Sequence, residues 1–150
     1  MSELWEFACE TYAHPDVEAA CLQLQAQGND VCVLLCCAWL DKRGIAYAAP
    51  KLAALQATAA PWRREVVEPL RALRLAWRRD AQTDNALGAL REQVKALELR
   101  AEKELLERLE HAASAWPASA SGTQSWLDQA TLCNTAESQA SLDTLKTAAG

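Results

Sequence analysis

The sequence predicts an all-α, single-domain bundle of six to seven helices built around a fully apolar central helix near residues 31–43. Three observations predict it. Residues 31–40 read VCVLLCCAWL, ten consecutive apolar residues between a Gly28-Asn29-Asp30 entry and an Asp41-Lys42-Arg43-Gly44 exit. The chain is 51% hydrophobic and rich in Ala, Leu, Glu and Arg, with only five Gly and five Pro, which favours helices and excludes a wholly disordered chain. Residues 87–112 repeat their apolar positions at the helical period.

Helix one is expected over residues 3–13, with Ser2 as N-cap and Trp5, Ala8, Cys9 and Tyr12 on one face. His14-Pro15 ends it, because the residue before proline avoids the helical region. Pro15 then opens helix two, PDVEAACLQLQAQ, whose stripe is Val17, Ala20, Cys21 and Leu24. Gly28 stops it, and the short link predicts an antiparallel pair with helix three. Helix three takes Asp30 as N-cap, Lys42 and Arg43 in its last turn and Gly44 as the left-handed stop. It lacks any polar face and must be wrapped by the others. At ten apolar residues it is also too short to span a bilayer, which takes roughly 20.

Pro50 opens a short helix carrying Leu52 and Leu55, and Pro61 is expected to restart the chain. Residues 61–79, PWRREVVEPLRALRLAWRR, keep helical periodicity, but Pro69 should kink or split them. The longest helix is expected over 85–114, capped by Thr83 or Asp84. Its stripe, Leu87, Leu90, Val94, Leu97, Ala101, Leu105, Leu109 and Ala112, advances by about 3.6 residues, the period of a plain amphipathic helix rather than a strict heptad. Its remaining charges, Glu98 and Glu102 included, read as a solvated outer face. Two organisational units follow: a helical core domain over 1–114, and a linker with a C-terminal helix over 115–150, packed on the core or partly mobile. Ser121 and Gln124 have capping-box spacing. The last helix, about 122–147, has a sparse apolar pattern and a candidate break at Asn134.

Charge is uneven. The net value is −5, which argues against nucleic-acid binding. Residues 61–80 are the basic exception, with six Arg against three acids. Arg64, Arg71, Arg74 and Arg78 form a stripe beside Arg63 and Arg79, flanked by Trp62 and Trp77. Such guanidinium forks can pair bidentately with a phosphate, a carboxylate or an acidic partner. The competing use is pairing within the chain, since acids are plentiful elsewhere. The six cysteines read as reduced core fillers of a cytoplasmic protein, because the MSELWEFACE start lacks the positive charge and apolar core of a signal peptide. No C-x-x-C, H-E-x-x-H, G-x-S-x-G, P-loop or G-x-G-x-x-G occurs, so no metal, cofactor or catalytic residue is assigned.

The block LWxFACxxYxxPxVExACLxLQxxGxDVCxLLCCAWLxxRG, Leu4 to Gly44, resembles a family of small proteobacterial proteins of unknown function. Phe7, Tyr12, Pro15, Val17, Cys21, Leu22, Leu24, Gln25, Asp30, Val31, Leu34, Leu35 and Trp39 carry the resemblance, and Ala60 to Arg71 extend it. Asp16 stands where glycine is common in that family, which implies a more regular start to helix two. The resemblance implies an all-helical fold and no activity.

Three functional expectations follow. The first is a cytosolic, non-enzymatic interaction or regulatory protein that uses Trp62, Arg63, Arg64, Arg71, Arg74, Trp77 and Arg78 to hold an acidic protein or phosphate-bearing ligand. The second is a small-molecule binder or enzyme with an apolar pocket between the first three helices and polar groups at Tyr12, Gln25, Asp30 and Arg43. The third is a homodimer formed through the 85–114 helix.

Overall fold

The computed structural model describes residues 2–118 and 124–150. Ser121 of the expected capping box lies outside them. The described residues are helical nearly throughout: α1 (Glu3–Tyr12), α2 (Val17–Ala26), α3 (Val31–Lys42), α4 (Ala49–Trp62), a π-turn (Arg63–Val67), α5 (Glu68–Ala76), α6 (Asn85–Ala113), α7 (Trp126–Ala130) and α8 (Ala136–Ala149). Because α4, the π-turn and α5 run on as one rod, seven helical rods make an all-α bundle. No helix among the described residues is long and apolar enough to cross a membrane.

The central helix is where the sequence places it. Asp30 accepts the Cys32 and Val33 backbone N–H groups, and Gly44 takes φ +70° after the Arg43 cap. Cys32 through Leu40 are all buried. α1, α4, α6, α7 and α8 pack around them, as a helix without a wet face demands. Two ends are stitched across the chain. Glu110 of α6 accepts the Leu4 N–H at 2.6 Å, anchoring the start of α1. Asp41 of α3 accepts from Ser125 Oγ and from the Trp126 and Leu127 backbone N–H groups, so α3 caps α7. Trp126 is fully buried, donates its indole N–H to the Ile45 carbonyl at 2.8 Å and stacks on Trp116.

Several elements depart from expectation for identifiable reasons. α2 packs chiefly along α8 and only lightly on α3, so the expected α2–α3 pair is not the main contact. The last helix breaks over 131–135, where Thr131 is extended and Asn29 receives the Leu132 N–H. Pro61 does not restart the chain. It lies within α4, at an exposed site where the carbonyl it leaves unpaired, that of exposed Ala57, can reach water. Pro69 stands in the first turn of α5, and the regular α-helix is interrupted just before it. Its ring crowds the carbonyl four residues back, and the chain answers by widening, with the Glu68 N–H donating to Arg63 O in the π-turn just before it.

Asp16 is the second departure at a helix start. It takes φ +68° and ψ −6° and makes no side-chain cap, so the residue keeps the left-handed backbone that glycine would suit. The left-handed region costs a residue with a Cβ roughly 1–2 kcal/mol. Asp16→Gly is therefore expected to stabilise the protein by about 1 kcal/mol, after the entropy that glycine adds to the unfolded chain. Asp41→Ala, which strips three hydrogen bonds from α7, is expected to cost about 2 kcal/mol. Urea denaturation of the two variants measures both.

Candidate functional site

The α6 stripe is displaced from its predicted line. The buried positions are Val94, Glu98, Ala101, Leu105, Leu106, Leu109 and Ala113, whereas Leu90 and Leu97 are about half exposed. A carboxylate thus occupies the inward position that the sequence pattern gave to Leu97. The facing helix explains it. α5 buries no residue and presents Arg71 and Arg74 to α6. The Nε of each donates to Glu98, at 3.1 Å from Arg71 and 2.5 Å from Arg74. Glu98 is 6% exposed. Burial opposes its charge, but the hydrogen bonds and charges of Arg74 and Arg71 prevail and hold its carboxyl below the ordinary value.

One turn further along α6 lies Glu102, whose ion pair is a 3.5 Å contact to an Arg71 Nη. Burial and the neighbouring Glu98 charge push its carboxyl up to about 6, against a smaller pull from Arg71. Arg63, on the π-turn, donates to Asp30 at 2.8 Å and approaches Glu68 at 3.3 Å. Asp30 therefore holds the start of α3 with one oxygen and Arg63 with the other.

These groups rim one open cleft of about 870 Å³. α1 and α2 form one wall with Trp5, Ala8, Cys9, Tyr12, Cys21, Leu22 and Gln25. Val31, Cys32 and Leu35 of α3 make the floor. Val67, Arg71 and Arg74 on the rod and Glu98, Leu99, Glu102, Leu105 and Leu106 of α6 make the opposite wall. Tyr12, Leu22 and Leu99 are 40%, 55% and 54% exposed, so large apolar groups are left wet at its mouth. The Tyr12 hydroxyl lies against Cys21, and burial raises its pKa. Burial also raises the Cys21 and Cys32 thiols and pushes Cys36 up to about 12. These thiols stay protonated and inert at neutral pH.

The cleft gathers residues from two separate sequence-based sets. Tyr12, Gln25 and Asp30 of the pocket set line it, together with Arg63, Arg71 and Arg74 of the arginine set. Arg43 lies elsewhere, paired with Glu3 at 3.0 Å and stacked over Trp39. Trp62 is also outside the lining. It donates to the Ala101 carbonyl at 2.9 Å and carries Arg108 on its ring. Trp77 is half-buried, and Arg64 and Arg78 are exposed. Glu98 and Glu102 are among the lining residues that the sequence reading did not single out as a site. The signal available was the i, i+4 spacing of the two glutamates opposite an arginine pair at i, i+3.

The described residues thus form an all-α bundle with a polar-rimmed cleft in one side. The chain belongs to the family described as "Protein of unknown function (DUF2390)", which matches residues 3–109. That segment contains every residue lining the cleft, while α7 and α8 lie beyond it. No curated protein and no solved structure matches the chain.

The two glutamates are expected to respond oppositely to replacement. Glu98→Ala leaves two partly buried guanidiniums facing each other and should cost about 3 kcal/mol. The Glu102 pKa is higher in the folded protein than its ordinary 4.5, so the fold binds this proton more tightly than the unfolded chain does. Its contribution is full below about pH 4.5 and is lost as the pH rises through 6. Glu102→Gln should therefore stabilise the protein by about 1 kcal/mol at pH 7.5 and have almost no effect at pH 4. Denaturant titrations at the two pH values compare them.

Proposed function

We propose that the protein binds a small amphipathic molecule in the cleft between the α1–α2 wall and the α5–α6 wall. The carrying observation is the cleft itself. It has an apolar floor, wet apolar side chains at its mouth and a fixed charge cluster along one side. Its volume falls within the roughly 300–1,000 Å³ typical of ligand pockets. Arg71 and Arg74 are engaged by Glu98, and Arg63 by Asp30, which supports a cleft-binding role over a free arginine surface for an acidic partner. The buried thiols serve the packing of the floor. Six free thiols suit a reducing compartment, so a cytoplasmic location forms part of this reading.

1-Octanol is a suitable neutral probe. Titrated into isotopically labelled protein, it should shift backbone amide resonances concentrated around Leu22, Leu35, Leu99 and Leu106. Ala96→Trp places a large ring in the cleft from an exposed position on α6. That variant should remain folded and lose at least tenfold in octanol affinity. Shifts scattered over the surface, or equal binding by the blocked variant, would overturn the proposal.

A further inference from the structure

We infer that the protein pairs with a second copy of itself through the face of the α5–α6 hairpin that points away from the cleft. The inference goes beyond the cleft-binding reading and does not depend on it.

The first support is an apolar seam on that face. α5 packs chiefly on α6 and the π-turn, and buries no residue. The inward line of α6 runs through Val94 and Glu98. Helical geometry puts Glu92, Lys95 and Leu99 on one flank of that line, where they line the cleft. Leu90 and Leu97 fall on the other flank. Leu73 holds the matching place on α5, across the helix from the cleft-lining Glu68 and Arg71. Arg91 donates to the Arg74 carbonyl, and Arg74 donates to Glu98. This level of α5 therefore stands between Arg91 and Glu98, and Leu73 lies between Leu90 and Leu97. The three leucines are 42%, 52% and 48% exposed. Gathered on one face of two adjacent helices, they are a patch of the kind that marks an interface.

The second support is the charge at the two ends of the seam, which names the occupant. The hairpin tip carries Arg78 and Arg79, both exposed and both unused by the cleft. Among the described residues neither forms a salt bridge. Further along α6, on the Leu97 flank, Glu104 and Glu107 edge a shallow groove. Glu104 pairs with Arg108 at 3.0 Å, while Glu107 is exposed. A two-fold axis midway between Leu90 and Leu97, with α6 antiparallel to its copy, seats Leu90 on Leu97 of the second copy and the reverse. The tip and Glu104 lie almost equally far from that axis, so the basic tip of one copy meets the acidic groove of the other. The contact is made twice, as a closed two-fold pair requires. Gln93 falls at the axis, where its amide can pair with that of the copy. A parallel pairing would set Arg78 and Arg79 against themselves. The antiparallel one completes a four-helix layer, gives α5 the apolar cover it lacks and leaves the cleft open on the opposite flank.

Sedimentation equilibrium of the full chain tests the pairing. At high micromolar concentration the native protein should show twice its 16.4 kDa mass. Leu90→Glu combined with Leu97→Glu changes two exposed positions, so the variant should keep its helical circular dichroism and sediment at 16.4 kDa. Leu132→Glu, at an equally exposed leucine on the link between α7 and α8, should leave the dimer intact. Arg79→Glu alone and Glu107→Arg alone should each weaken dimerisation about tenfold. Combining the two exchanges the charges across the interface and should recover most of the loss. Native protein at 16.4 kDa would overturn the proposal. So would a dimer that survives both leucine substitutions, or a charge exchange that recovers nothing.

Discussion

Glu98 lies between the guanidiniums of Arg71 and Arg74 with almost none of its surface in water. The second half of the helical rod has no comparable hold on the body, for α5 buries no residue of its own. A helix with a polar outer face and a half-wet apolar stripe gains little from apolar burial. The charged clamp, with Arg91 donating to the Arg74 carbonyl at 2.9 Å, fixes where α5 sits along α6. Fixing α5 fixes one wall of the cleft. An isosteric apolar replacement can hold the helices as strongly, but it would leave no directed charge on that wall.

The opposite wall is held from behind, α2 by α8 and α1 by α6, α3 and α8. α3 collects its neighbours by offering apolar surface on every side, and it uses polar atoms only at its ends. Asp30 holds the π-turn through Arg63, and Asp41 holds α7. The cleft opens beside the Asp30 end, where the covering side chains give way to Gly28, Asn29 and the rod. The widened turn matters here. A regular helix through residues 63–67 would carry a different register into α5, and Arg71 and Arg74 would no longer meet the same side of α6.

Much of the frame is legible in the sequence because it follows local rules. Ser2, Asp30 and Asp84 cap the helices that the patterns place after them. Gly44 stops α3 with a positive φ, and the tryptophans of the last linker bind the tail to the body. The misreadings along α6 share a cause: each depends on a partner distant in the chain. Glu98 reads as solvated until α5 supplies two arginines. Leu97 reads as buried until the displaced α6 face turns it outward. Asp16 reads as an improvement on glycine until the turn between α1 and α2 demands a left-handed backbone. Pro61 reads as a break because the rule describes the penalty but not the solvent that offsets it. The candidate site was divided between two sets of residues, for spacing alone does not show that the arginine stripe and the first two helices face the same opening.

The wrapping of α3 also has a temporal side. The ribosome delivers this apolar helix before the helices that cover it most fully, α6 and α7, and before the α8 partner of α2. At about 5–20 residues per second, the nascent chain carries an unshielded greasy segment for on the order of ten seconds. Such a segment is a natural client for holding chaperones. A messenger that stalls or ends within the α6 coding region would release a polypeptide with its most adhesive part uncovered.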